Sequence, residues 1–115
     1  MQIGITEKGV MHTDPDEFDL DTRFRMVAES GVYDYYDKTP EDPALVDAYL
    51  AASEKHGIPV RAGGWFYLLG RDEALLKEKL ELSARVGSSV HNTQILSQHA
   101  GGHVVTNDEV VTTYL

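Results

Sequence analysis

Apolar and polar positions change period several times along the chain, and each change marks a boundary. Gln2 to Thr6 (QIGIT) alternates and predicts a short first strand. A polar loop from Glu7 to Asp19 follows, carrying His12, Asp14 and Asp16 around Pro15. Leu20, Phe24, Val27 and Ala28 then recur at helical spacing behind the acidic pair Asp19 and Asp21, and Gly31 fits the left-handed position past that helix. Val32 to Asp37 (VYDYYD) is the second strand, stopped by Lys38-Thr39-Pro40 because proline cannot donate to a ladder. Asp42-Pro43 opens a second helix with Leu45, Val46, Tyr49, Leu50 and Ser53 in period, ended by Gly57.

Ile58 to Phe66 (IPVRAGGWF) predicts the third strand, whose Gly63-Gly64 pair lets a backbone or a ligand come close. Arg71 to Arg85 gives the clearest helix, with Leu76, Leu80 and Ala84 on one stripe. Its Glu73–Lys77 and Glu81–Arg85 pairs add a few tenths of a kcal/mol each, on the order of 0.3. Gly87 ends it, Ser89 to Leu96 predicts the fourth strand, and Asn107-Asp108 caps a last helix bearing Val110, Val111, Tyr114 and Leu115. The order is β-α-β-α-β-α-β-α, with Gly31, Gly57 and Gly87 each between a helix and the next strand, a cadence that fits βα units of a parallel sheet. The last helix breaks off at Leu115 with no C-cap in sight, so the chain is expected to be the N-terminal part of a single larger domain, truncated in its fourth helix.

Composition narrows the classes. With 115 residues, 42% hydrophobic and 25% charged, the chain has the balance of an ordinary soluble globular protein. A net charge of −9 argues against nucleic acid and anionic membranes as partners, since phosphates repel such a surface. The absence of cysteine excludes disulfides and thiolate metal sites and leaves cytoplasm as the default compartment. The N-terminus lacks the basic and apolar regions of a signal peptide, and no apolar run reaches membrane-spanning length.

Candidate chemistry concentrates in Val86 to His103 (VGSSVHNTQILSQHAGGH). Side chains alternate along a strand, so Asn92 and Gln94 share one face of the fourth strand and His91 shares the other with Thr93. His91 facing the helices would be an ordinary hydrogen-bonded core histidine; turned the other way it would meet a ligand. His99 and His103 lie in the following loop, where they either bind a ligand or are simply solvated; their i,i+4 spacing makes a ligand pair only in a helix, which Gly101-Gly102 disfavours. Trp65 either stacks on a ring or packs in the core. Arg61, if buried inside a closed sheet, needs a carboxylate or phosphate partner. Glu7 and Asp37 end the first and second strands. His56, in a helix's last turn, suits the helix dipole. No nucleophile elbow, P-loop or dinucleotide fingerprint is present.

QIGIT, ESGVYDYYD, KHGIPVRAGGW and ARVGSSVHNTQ together resemble the first four βα units of xylose-isomerase-like TIM barrels. That group includes sugar and sugar-phosphate isomerases and epimerases and is akin to the endonuclease IV nucleases. The resemblance spans the whole chain but about half of a typical barrel of roughly 250 residues. It implies a partial (β/α)8 barrel, with a flavodoxin-like sheet as the structural alternative. It also implies a sugar-like polyol substrate and a divalent metal (Mn, Mg, Zn or Co), held mainly by strands beyond these four. The nuclease branch places metal-binding histidines where this chain has Gly64 and Gln94. The frequent acidic residue at the second strand's end is matched by Asp37, and Gln94 falls where a mouth-facing side chain is expected.

The resemblance thus names Glu7, Asp37, Arg61, Trp65, Asn92 and Gln94 as substrate contacts, with His91, His99 and His103 as secondary candidates. No metal ligand is assigned within the chain, and at most weak binding by the loop histidines is expected. The reaction implied is proton transfer beside a carbonyl. A lyase or metal hydrolase on the same barrel, or a non-catalytic half-barrel, are the alternatives. Open strand edges lead to an expectation of homo-oligomerisation and an inactive isolated segment.

Overall fold

The computed structural model describes residues 1–10 and 18–114; the segment carrying His12, Asp14, Pro15 and Asp16 lies outside the described residues, as do Leu115 and the side chains of Ala62, Gly64 and Trp65. The elements are β1 (Gly4–Thr6), α1 (Glu7–Val10), α2 (Leu20–Ser30), β2 (Tyr35–Asp37), a 3-10 turn (Pro43–Leu45), α3 (Val46–His56), β3 (Val60–Tyr67), α4 (Glu73–Arg85), β4 (His91–Ile95) and α5 (Asn107–Tyr114). The chain is therefore α/β. Among the described residues no helix is long and apolar enough to cross a membrane.

The glycine stops are those read from the sequence, but the N-terminal caps differ: Asp19, expected in the first turn of α2, is its cap, and α5 begins at Asn107 with Thr106 in the capping position expected of Asn107-Asp108. The Asp19 carboxylate accepts from the Thr22 N–H at 2.7 Å, and Gly31 and Gly57 close α2 and α3 in the left-handed region at φ 66° and 67°. Where the polar loop was expected to begin, Glu7–Val10 instead forms one helical turn.

All strand pairs are parallel and the order is β1-β2-β3-β4, as the cadence predicts; the 2-1-3-4 order of the flavodoxin alternative is not seen. Ile5, Tyr36 and Val60 form one row across the first three strands, and Thr6, Asp37 and Arg61 the next. Adjacent rows face opposite ways, which settles two faces. The Ile5–Tyr36–Val60 row packs under Phe24 and Val27 of α2, Val46, Tyr49 and Ala52 of α3, Leu82 of α4 and Val86 just past its end. Phe24 stacks on Tyr36 with centroids 4.3 Å apart, and Tyr49 meets both rings edge-on. The helices α2, α3 and α4 thus share one face of the sheet, and the Thr6–Asp37–Arg61 row lies on the other.

The β3–β4 ladder joins the rest through β3 and contains a bulge. Ala62 pairs with His91 and Trp65 with Thr93, so Gly63-Gly64 stand opposite Asn92 alone. The bulge sits where the β2–α3 connection crosses. A Cβ on Gly63 would lie 1.9 Å from the Thr39 nitrogen and 2.6 Å from the Lys38 carbonyl carbon. The glycine pair therefore admits a neighbouring backbone, one of the two roles its composition allowed.

Candidate functional site

The face of the sheet turned away from α2–α4 is polar and aromatic. Tyr35 lies across Gly4, since a Cβ there would stand 2.1 Å from the ring, and the Arg61 guanidinium is 5.7 Å from the centre of that ring. Arg61 also donates to the side-chain carbonyl of Gln2. Asp37 is its register neighbour, yet among the described residues no hydrogen bond or ion pair reaches the Asp37 carboxylate. Half-buried, that carboxyl is pushed up from its ordinary value by desolvation. Farther along, Phe66 and Gln94 are paired in register and both are exposed, as is Asn92. Asn92 and Gln94 alternate with His91, whose ring reaches α4, so they fall on this open face. Asp37, at the end of β2, and Arg61 beside it near the start of β3 thus share one face of the sheet with Asn92 and Gln94, which lie farther along on β4.

Glu7 is held elsewhere. Its Oε1 pairs with Arg23 Nη1 of α2 at 3.0 Å, while its Oε2 accepts from the Tyr36 hydroxyl at 3.1 Å and the Tyr49 hydroxyl at 2.7 Å. Glu7 and Arg23 are mostly buried, with side-chain exposures of 15% and 14%. Burial and the Glu7 charge push both tyrosine hydroxyls well above the ordinary phenol pKa. This carboxylate ties β1, α2, β2 and α3 together from the helix side. It is a fastening of the scaffold.

His91 heads a second buried chain of hydrogen bonds. Its Nδ1 is 2.8 Å from Ser83 Oγ of α4, its Nε2 is 3.0 Å from the Tyr67 hydroxyl, and Ser83 Oγ is 2.7 Å from Thr39 Oγ1. Beside it, buried Lys79 donates to the Glu41 carbonyl at 2.9 Å. Burial first, and then the Lys79 ammonium, hold the imidazole below the ordinary histidine range; burial also pushes the Tyr67 phenol up to about 12. The gap between Lys79, His91, Tyr67 and Gly63 measures about 10 Å³, space for one water. His91 is a hydrogen-bonded helix-side histidine, and Ser83, although within reach of an imidazole, has no room for a substrate.

Past β4 the chain folds back on itself. The Gln98–Val104 bridge is antiparallel, the His99 N–H donates to the His103 carbonyl at 2.8 Å, and the Val105 N–H donates to Ser97 at 2.8 Å. This tight return, and not a helix, stacks the His99 and His103 rings with centroids 4.3 Å apart. Glu109, in the first turn of α5, completes the group: its Oε1 lies 2.8 Å from His103 Nε2 and 3.9 Å from His99 Nε2. The His103 hydrogen bond is the main cause that keeps the Glu109 carboxyl below its ordinary value. Glu109 was missed in the sequence; its signal was the Thr106-x-x-Glu109 spacing of a helix start, with the Glu109 N–H donating to Thr106 Oγ1 at 3.2 Å. His56 closes α3 against Asp21 at 2.9 Å.

The fold and these groups define an α/β protein with a sequential parallel sheet, helices α2–α4 on one face and polar side chains on the other. Comparison with protein-family models, with curated proteins and with solved structures finds no match.

Proposed function

We propose that the open face is one side of a polyol-binding site in a TIM-barrel enzyme of the sugar isomerase and epimerase type, with this chain supplying the first four βα units. The observation that carries the reading is Asp37: a half-buried carboxylate at the C-terminal end of β2, unpartnered among the described residues and held above the ordinary aspartate pKa by its burial. Proteins keep such a costly group where it meets a ligand more often than elsewhere. The sequential parallel order supports it too, because ligands of barrel folds bind at the C-terminal ends of the strands.

In this reading Asp37 accepts hydrogen bonds from substrate hydroxyls and exchanges a proton beside the carbonyl. Asn92, two strands across by about 10 Å and a few residues farther along the sheet, orients the far end of the polyol. Gln94, in register with Phe66 and so five residues beyond Arg61, lies roughly 15 Å farther along the strands and out of reach of the same small ligand. Arg61, level with Asp37 on the neighbouring strand, draws an anionic group such as a phosphate. A divalent metal would polarise the carbonyl oxygen. The open face does not fit one: among the described residues named on it, Asp37 is the only carboxylate and there is no histidine, so no step is assigned to a metal here.

The test is solvent exchange. The complete gene product, incubated with a panel of aldoses, ketoses and their phosphates in deuterium oxide, should incorporate deuterium at the carbon beside the carbonyl of one of them. Asp37→Asn should slow that exchange by about 100-fold or more. Exchange with none of the panel, or exchange unaffected by Asp37→Asn, overturns the assignment.

A further inference from the structure

We infer that His99, His103 and Glu109 form a binding site for a zinc-class divalent ion at the mouth of the β4–α5 loop. One donor atom from each residue lies within 4.8 Å of the other two. Tetrahedral zinc with bonds of about 2.0 to 2.2 Å separates its donors by roughly 3.3 to 3.5 Å. The two measured separations, 2.8 Å from His103 Nε2 to Glu109 Oε1 and 3.9 Å from His99 Nε2 to the same oxygen, lie on either side of that value. Shifts well below the length of a side chain bring all three donors onto one ion. Two imidazoles and one carboxylate suit zinc and cobalt; calcium and magnesium prefer oxygen donors alone.

The backbone holds the donors in place without the ion. The hairpin-like return sets the two histidines side by side, and the Ala100 N–H donates to the Leu69 carbonyl at 2.8 Å, fixing the loop to the end of β3. The His99 ring rests on Gly70, where a Cβ would come within 2.4 Å of its Cε1. Glu109 is positioned by the start of α5. Both nitrogens facing Glu109 must be free of protons to bind. At His103 the proton now shared with Glu109 leaves Nε2 for Nδ1. At His99 the Gly101 N–H donates to Nδ1 at 2.8 Å, which places the ring proton on Nε2; zinc reverses this tautomer, and the Gly101 amide must turn away. The Gly101-Gly102 pair permits that turn, with Gly102 already at φ 94°. The cost of the turn limits the affinity. Three protein donors leave the fourth position to water, so the bound ion remains accessible.

The site stands apart from the open-face reading, since none of its residues lies among the side chains proposed to touch a polyol. Zinc titrated into the metal-free protein by calorimetry should bind one equivalent with a Kd on the order of 1 to 10 µM. Cobalt should give the intense visible bands of four-coordinate geometry, and magnesium and calcium should give no heat. His103→Gln and Glu109→Gln should each weaken zinc at least about 10-fold, as loss of a ligand or its support does. His56→Gln should leave the affinity unchanged. Glu109→Gln preserves the size of a partly exposed helix-start residue, so it carries the test if the histidine variant is poorly folded. A zinc Kd weaker than about 1 mM, or affinity that survives both substitutions, or affinity lost in His56→Gln, overturns the inference.

Discussion

Replacing Glu7 by glutamine separates a scaffold role for this residue from a ligand role. The carboxylate receives three bonds: Tyr49 hydroxyl at 2.7 Å and Tyr36 hydroxyl at 3.1 Å on one oxygen, and Arg23 at 3.0 Å on the other. Glutamine keeps the shape but has one acceptor oxygen. Its NH2 must face either the guanidinium or the two hydroxyls, and Arg23, with 14% of its side chain exposed, loses its counter-charge. Hydrogen bonds to a charged group contribute about 1.5 to 3 kcal/mol, against about 1 for a neutral pair. Losing the charge on one side and mismatching the other should cost about 2 to 3 kcal/mol. An unfolding entropy of about 2.1 cal/mol/K per residue converts that into a fall in Tm of roughly 10 °C for a chain of this length. Calorimetric melts of Glu7→Gln, Tyr49→Phe and the double variant measure it, and the two changes should couple by about 1 kcal/mol because they share a bond. If Glu7→Gln melts within about 2 °C of the parent while deuterium exchange with a sugar is abolished, Glu7 faces the ligand and the fastening described above is wrong.

Three further outcomes follow from the same geometry. Gly63→Ala places a methyl 1.9 Å from the Thr39 nitrogen, against backbone that cannot swing aside as a side chain would; the variant should lose at least about 3 kcal/mol, read from urea unfolding followed by far-UV circular dichroism. His91 titrates lower in the folded chain than the ordinary value of 6.5, so the unfolded chain takes up a proton first as pH falls. Its contribution is present above pH 6.5 and is lost as pH drops through the lower folded value; urea midpoints at pH 7.5 and 5.0 should show that loss, and His91→Gln should flatten it. The raised carboxyl of Asp37 works the other way, opposing folding above the ordinary aspartate value, so Asp37→Asn should raise the Tm at pH 7 by a few degrees, roughly 1 to 4 °C, and leave it unchanged at pH 3.

The elements of this protein were legible in its sequence because their signals are local. Asp19 caps α2 through its own neighbour Thr22, and Gly31 and Gly57 take up left-handed backbone that other residues resist. Alternation placed His91 opposite Asn92 and Gln94, and the repeated helix–glycine–strand cadence carried the parallel 1-2-3-4 order. What a side chain meets depends instead on how α2, α3 and α4 sit over the strands, and residues far apart in sequence share no period. Only the packing turned Glu7 towards Arg23, Tyr36 and Tyr49, and only the fit of α4 over β4 gave His91 its Ser83 partner. Gly63-Gly64 was open to a ligand or a backbone until the Lys38–Thr39 segment filled the space. His99 and His103 spoke for a ligand pair only through a helix. A folded-back loop, anchored on Leu69 and closed by Glu109 of the next helix, brought them together by contacts that spacing alone does not encode. Asp37 stands at a strand end in the sequence as it does in the fold, but that no partner reaches it among the described residues is a property of the assembled sheet.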